Sequence, residues 1–402
     1  MPGAEAVLKK QEKVYRSRAD DPSFPIFAVA CDGSGICAFI APRFRRPTLS
    51  SAFYSRDLQL APTRRSGSIA QMAAHNEEVI HVDEDDSFED ETYGSLSDDA
   101  SSYLTSISSH IRNGIEENGR QYPAYGRNMY GLPIDEREQE RNNIQHIKFR
   151  LIIGGLLHRA PMPPAPARIL DLGTGSGIWA IEAADRYETA VVTGVDIAPV
   201  QPEWVPPNCQ FEVQDIEDEW LFPANNFDFI HARELIMAIR DWDRLFRQAF
   251  HHLRPGAYME IGGMYPTPTS DDGTLPANSH LKEVERLFFE MAEAMGTPLN
   301  APLLWKAQME RAGFVDVTES IYKVPQGIWP RDARLKDIGA YENFSLRNGL
   351  DAYLLRGYTT LLGGNPDELQ ILIAETKREL RNPKMHSYVL YYNVYGRKPG
   401  PV

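Results

Sequence analysis

The sequence predicts an α/β fold, a seven-stranded sheet with helices on both faces and an antiparallel last strand. Three observations carry this reading. Between residues 165 and 265, short apolar runs alternate with amphipathic stretches of 10–15 residues, the signature of βαβ units around a parallel sheet. The first run, ARILDLG (167–173), leads into glycines at every second position and then into a helical stretch. The chain also closes on SYVLYYNVYGRKP (387–399), a strongly β-prone segment.

The elements follow in order. Residues 134–161 read as a helix: Asp135 and Glu136 open it, Lys148 and Arg150 come late, and Ile144, Ile147 and Leu151 recur at helical spacing. A strand at 167–173 and a helix at 177–187 come next. AVVTGVDIA (190–198), CQFEVQDI (209–216) and FDFIHARE (227–234) are the second to fourth strands. A helix at 239–255 should stop at Pro255–Gly256, before the fifth strand YMEIGGM (258–264). Helices at 281–296 and 301–314 precede a sixth strand, VDVTESIYKVP (315–325). Two or more helices fill 331–382, one of them PDELQILIAETKRELR (366–381), and the last strand follows.

The first 110 residues read differently. They run from a Pro/Arg/Ser region into an acidic block and then a Ser-rich run. Residues 77–99 hold eleven acidic and no basic side chains, against a net charge of −14 for the whole chain of 402 residues. Such a segment buries too little apolar surface to offset the entropy of ordering, so a disordered leader is expected. FPIFAVACDGSGICAFIAP (24–42) is the exception, apolar enough for a strand or two. Residues 111–133 carry tyrosines among Gly and Pro and suggest an ordered but irregular arm. Four regions result: leader 1–110, arm and helix 111–160 covering the ligand site, core 161–265, and helical inserts with the final strands over 266–402.

No clustered Lys/Arg stripe offers a nucleic-acid backbone a partner. No run approaches the roughly 20 apolar residues of a membrane helix, and the N-terminus lacks a secretory signal. Three cysteines give neither a disulfide framework nor a metal set. Cytoplasm or nucleus is the expected compartment, and the acidic leader offers a surface for a protein partner.

The glycine turn, RILDLGTGSGIWAIE (168–182), narrows the ligand. A nucleoside-triphosphate loop needs Lys-Ser/Thr after its last glycine, but Ile178–Trp179 stand there. The dinucleotide fingerprint places its third glycine one residue later than Gly177. Asp171 precedes the glycines and favours a cationic ligand over a pyrophosphate. Asp196 ends the second strand, where a carboxylate can accept from both hydroxyls of a ribose. Asp215 ends the third, where it can meet an adenine amine while Ile197 and Ile216 flank the ring. Together these positions describe a pocket for adenosine bearing an amino-acid and sulfonium tail.

DLGTGSG, followed by GVD and QD at these intervals, resembles the first motif and its successors in class I S-adenosylmethionine-dependent methyltransferases, a Rossmann-like fold. Further segments tighten the likeness to the fungal LaeA-like methyltransferases of secondary metabolism: ENGRQYPAYGRNMYGLPIDEREQERNNIQH (117–146), VDIAPVQPEWVPPNCQFEVQDIEDEW (195–220), FDFIHAREL (227–235), RDWDRLFRQAFHHLRPGAYMEI (240–261) and YYNVYGRKP (391–399). The resemblance covers about 117–400. It implies S-adenosyl-L-methionine as cofactor, with Asp171, Gly173, Thr174, Gly175 and Gly177 around its methionine part. Asp196 would hold the ribose, and Ile197, Asp215 and Ile216 the adenine. The arm would fold over it, with Tyr122, Tyr125 and Arg127 on the carboxylate side.

Methyl transfer needs alignment, exclusion of water and, for some acceptors, removal of a proton. A base should come from the C-terminal strand ends, and His231 after the fourth strand is the first candidate, with a structural role as the competing expectation. Phe288, Phe289, Trp305, Trp329, Tyr341 and Phe344 suggest a small hydrophobic or aromatic substrate where they are not simply core. Methylation of a natural product, at oxygen, is the leading expectation. A nuclear regulator of secondary-metabolite genes and a non-methylating catalyst of cyclisation are the alternatives.

Overall fold

In the computed structural model the described residues are 28–31, 37–40, 111, 114–126 and 129–400. The chain divides into two units, Met1–Glu89 and Asp90–Val402. In the first, β1 (Ala28–Cys31) pairs antiparallel with β2 (Cys37–Ile40), both within the apolar island of the leader. The acidic and Ser-rich tract lies outside the described residues, as does Arg127.

The second unit opens with β3 (Ile115–Glu117) and β4 (Arg120–Tyr122), an antiparallel hairpin where an irregular arm was expected. Its turn is Asn118–Gly119, both at positive φ (53° and 70°), which matches the right-handed strand twist. α1 (Glu136–Ile152) follows, capped by the Asp135 carboxylate accepting from the Glu138 N–H at 3.1 Å. It stops short of the expected 161, because Gly154 and Gly155 take φ of 81° and 83°.

A seven-stranded sheet then forms from β5 (Arg168–Leu172), β6 (Val191–Asp196), β7 (Cys209–Val213), β8 (Phe227–Arg233), β9 (Leu253–Thr269), β10 (Val315–Pro325) and β11 (Tyr388–Arg397). Its spatial order is β10-β11-β9-β8-β5-β6-β7. The strands β9, β8, β5, β6 and β7 pair in parallel, and β11 is antiparallel to both its neighbours, as expected of the last strand. The helices are α2 (Ile178–Arg186), α3 (Trp242–His252), α4 (His280–Met295), α5 (Trp305–Ala312), α6 (Ala333–Arg356) and α7 (Pro366–Glu379).

A second boundary also differs from the sequence reading. α3 ends at His252, and β9 begins at Leu253 and runs seventeen residues, through Pro255–Gly256 and across the expected boundary at 265. The clash of a proline ring with the preceding residue disfavours helix there, so the chain extends before the proline rather than after it. Within β9, Gly262 leaves room for the Tyr391 hydroxyl, which a Cβ would meet at 2.0 Å. Trp179, Trp242 and Trp305 are buried among the apolar side chains of the sheet faces. Strand order reverses between β5 and β8, the switch point at which open α/β sheets leave a crevice beyond their C-terminal ends.

Candidate active site

The glycine turn sits at that crevice. Gly173, Gly175 and Gly177 have φ of 62°, 56° and 78°, a region closed to most side chains. Their reasons differ. A Cβ on Gly173 would meet Leu235 at 2.4 Å and one on Gly177 would meet Phe211 at 2.4 Å, whereas one on Gly175 would point into open space. Gly173 and Gly177 therefore serve packing, and Gly175 keeps a ligand surface bare. Gly173, Thr174 and Gly175 line a cavity of about 280 Å³; Gly177 lies behind it as the first cap of α2.

Asp171 and His231 are not on the lining of that cavity. Adjacent register on β5 and β8 sets them side by side, with His231 Nδ1 2.7 Å from Asp171 Oδ1. The other Asp171 oxygen accepts from the Thr174 hydroxyl at 2.6 Å. Trp179 stacks on the imidazole at 3.8 Å with the planes 4° apart. Both residues are buried, and burial holds the His231 imidazole below its usual pKa. Neutral His231 thus donates from Nδ1 and braces the turn from beneath. This arrangement favours the structural role for His231 over that of a base, and both Asp171 oxygens have partners within the protein.

Asp196 does reach the cavity. One oxygen accepts from the Gly175 N–H at 2.8 Å and the other from the Ala198 N–H at 3.1 Å, which aims the carboxylate across the turn. Burial pushes its pKa up to about 6. Ile197, Asp215 and Ile216 line the same end, and Asp215 accepts from the Glu217 N–H at 3.0 Å.

The arm contributes Gly126, Met129, Tyr130 and Leu132 to the lining. Tyr122 is instead fully buried under the Arg356 guanidinium, 4.4 Å from its ring centre, and Tyr125 is exposed away from the cavity. Neither lines the cavity; the arm tyrosine that does is Tyr130. Arg356 fixes this part of the arm by donating to the Tyr130 carbonyl at 2.9 Å and to Glu117 at 3.0 Å, while Arg240 donates to the Met129 carbonyl.

The far end of the cavity is walled by α1, α4 and α6 with the outer part of β9. Of the aromatic residues singled out above, Phe288 lines it; Trp305 is core and Phe344 is exposed. Met264, Pro266, Leu281, Val284 and Leu346 supply more apolar wall. Set into this wall is a charged group the sequence reading missed. Lys148 is 1% exposed and donates to Glu342 at 2.7 Å and to Gln145 at 3.1 Å. Arg141 pairs with Glu138 and donates to the Tyr353 hydroxyl. Glu234, one residue beyond β8, stands between this group and the glycine turn on the same lining.

Residues 144–319 match the family model described as a methyltransferase domain. The chain is 33% identical over 302 residues to a methyltransferase of Aspergillus terreus, pytC, covering 75% of this chain and 93% of that one. It is 35% identical over 289 residues to the secondary metabolism regulator LAE1 of Cochliobolus heterostrophus, covering 70% and 94%. It is 33% identical over 286 residues to the protein-methionine methyltransferase laeA of Emericella nidulans, covering 71% and 76%. The chain belongs to the fungal LaeA-like class I methyltransferases. It is an S-adenosylmethionine-dependent methyltransferase of fungal secondary metabolism. Among the described residues no helix is long and apolar enough to cross a membrane.

Proposed function

We propose that the protein methylates a hydroxyl oxygen of a small hydrophobic or aromatic metabolite. The observation that carries this reading is the continuity of the cavity: one end has the bare Gly175 and the Asp196 carboxylate, the other is an apolar chamber with a few buried charges. Such a chamber suits a compact molecule whose few polar atoms are met individually.

The donor set at the first end fits the cofactor. Gly175 lets a ligand approach the backbone, Asp196 offers acceptors to a ribose diol, and Ile197 and Ile216 offer apolar faces to a purine whose amine Asp215 can accept from. When bound, S-adenosylmethionine supplies a methyl group on a sulfonium, activated for displacement without a metal. The chain's task is then to align the acceptor oxygen, keep water out and receive a proton. Tyr130 and the arm, held by Arg356 and Arg240, cover the junction of the two ends.

The names of LAE1 and laeA favour a second reading, in which methylation serves regulation and a protein side chain enters the chamber. Deleting the gene and profiling metabolites separates the two. Loss of one product with accumulation of its unmethylated precursor supports the small-molecule reading; loss of many unrelated products supports the regulator. Cofactor binding is tested by calorimetry with S-adenosylhomocysteine, where absence of heat from the wild type would overturn the site assignment.

A further inference from the structure

We propose that Glu234 is the base that takes the proton from the acceptor hydroxyl, an inference that rests on the O-methylation reading above. Its position is the first argument. It is the residue immediately past β8, at the switch point of the sheet, and it lines the cavity between the glycine turn and the charged wall. His231, three residues earlier, is enclosed by Asp171 and Trp179 and does not line the cavity.

Backbone geometry is the second. Glu234 has φ of 57°, an unfavourable conformation for a glutamate. Two bonds to β9 over-determine it: the Glu234 N–H donates to the Gly262 carbonyl at 2.9 Å, and its Oε1 accepts from the Met264 N–H at 2.9 Å. Strain of this kind persists where the surroundings enforce it, and here it accompanies a glutamate on the chamber wall. Among the described residues Glu234 forms no ion pair; Lys148 is instead taken by Glu342 and Gln145. The carboxylate is left with capacity to accept.

Its surroundings suit a proton that comes and goes. Lys148 of α1 and Arg233 beside it on β8 favour the charged form, while Glu342 of α6 opposes it. Tyr353 of α6 and Tyr391 of β11 also feel its charge. Burial dominates and pushes the carboxyl up to about 7, near the working pH of a cell, where a general base is most effective. In the step the acceptor O–H bond breaks and its proton passes to a Glu234 oxygen. The electron pair left on the acceptor oxygen forms the bond to the methyl carbon as the methyl–sulfur bond breaks; that bond's pair stays on sulfur, and the sulfonium leaves as the neutral thioether of S-adenosylhomocysteine.

The test uses the full chain, labelled S-adenosylmethionine and a panel of simple phenols and naphthols. We expect wild-type turnover to fall below a break near pH 7 and Glu234→Gln to lose roughly 100-fold or more in kcat with KM little changed, the usual worth of a general base. The Glu234→Gln rate should then climb as pH approaches the phenol's own pKa, because an ionised acceptor needs no base. A variant with wild-type kcat, or one slow at every pH without alkaline recovery, would overturn the proposal. In infrared spectra of the substrate-free protein, a protonated-carboxyl band should titrate near pH 7 and be missing from Glu234→Gln; no such band in the wild type also overturns it. S-adenosylhomocysteine affinity shows whether the variant is folded, and if it is not, the wild-type band and pH break still decide. A wild type that methylates none of the panel defeats the O-methylation reading itself, and the proposal with it.

Discussion

The two ends of the cavity are built in opposite ways. At the end proposed for adenosine every feature comes from a strand terminus and its adjoining turn: Gly173 to Gly175 after β5, Asp196 ending β6 with Ile197 next to it, Asp215 and Ile216 after β7. Backbone N–H groups do the positioning, as Gly175 and Ala198 do for Asp196. At the acceptor end the groups are long side chains from distant helices, joined by contacts such as Lys148 to Glu342, 194 residues apart. One end is dictated by topology and the other by packing. A motif can therefore reveal the cofactor, while the substrate is written in tertiary contacts.

The largest effect should come from breaking the acceptor end. Lys148→Met strands the Glu342 carboxylate in a wall where the lysine is 1% and the glutamate 10% exposed. Loss of one partner of a buried pair costs about 3–5 kcal/mol, so denaturant unfolding should show a drop of that size. The double variant Lys148→Met/Glu342→Leu should recover most of it. A single-variant loss below about 1 kcal/mol would show that water reaches the pair.

Next comes the packing half of the glycine turn. Gly177→Ala forces a side chain onto φ of 78° and within 2.4 Å of Phe211. We expect about 1–3 kcal/mol of destabilisation by thermal melting, with weaker cofactor binding. Gly175→Ala carries the same kind of positive-φ strain (56°) but meets no neighbour, so its stability loss should be the smaller of the two and its main effect should fall on cofactor affinity. Equal stability losses for the two would contradict the division of roles between them.

Asp196→Ala sharpens the comparison from the other side. Removing hydrogen bonds to a charged acceptor costs about 1.5–3 kcal/mol, read as a 10–100-fold weaker Kd for S-adenosylhomocysteine. Acceptor affinity should be nearly unchanged, because Asp196 belongs to the other end. The smallest effect is one of pH. Burial raises the Asp196 carboxyl to about 6, and the ionised form is the better acceptor for a ribose diol. Cofactor affinity should thus be level above pH 6 and fall as pH drops through it, by up to tenfold per unit; an unchanged Kd at pH 5 would remove Asp196 from ribose binding.

The same division explains what the sequence disclosed. Gly173, Gly175, Asp196, Ile197, Asp215 and Ile216 were legible because each lies at or just past the end of a strand run, Thr174 was legible only through the family resemblance, and all seven line one cavity. Asp171 and His231 were legible as strand-end residues, but periodicity does not say on which side of the turn a side chain falls. Their cross-strand register, which sets Asp171 against His231, decided it. The Asn118–Gly119 pair did announce the β3–β4 hairpin, yet the surrounding Gly and Pro masked it. Nothing local marks Lys148, Glu342 or Tyr353 as neighbours; that fact exists only once α1 and α6 pack.

The bonds that fix Asp196 come from the Gly175 and Ala198 backbone, and those that fix Lys148 come from Gln145 and Glu342. The two sets share no residue. A new acceptor can therefore be accommodated by rewriting chamber-facing positions such as Lys148 of α1 and Glu342 of α6 while the bonds around Asp196 are left alone, so this scaffold offers substrate scope as a separately adjustable trait.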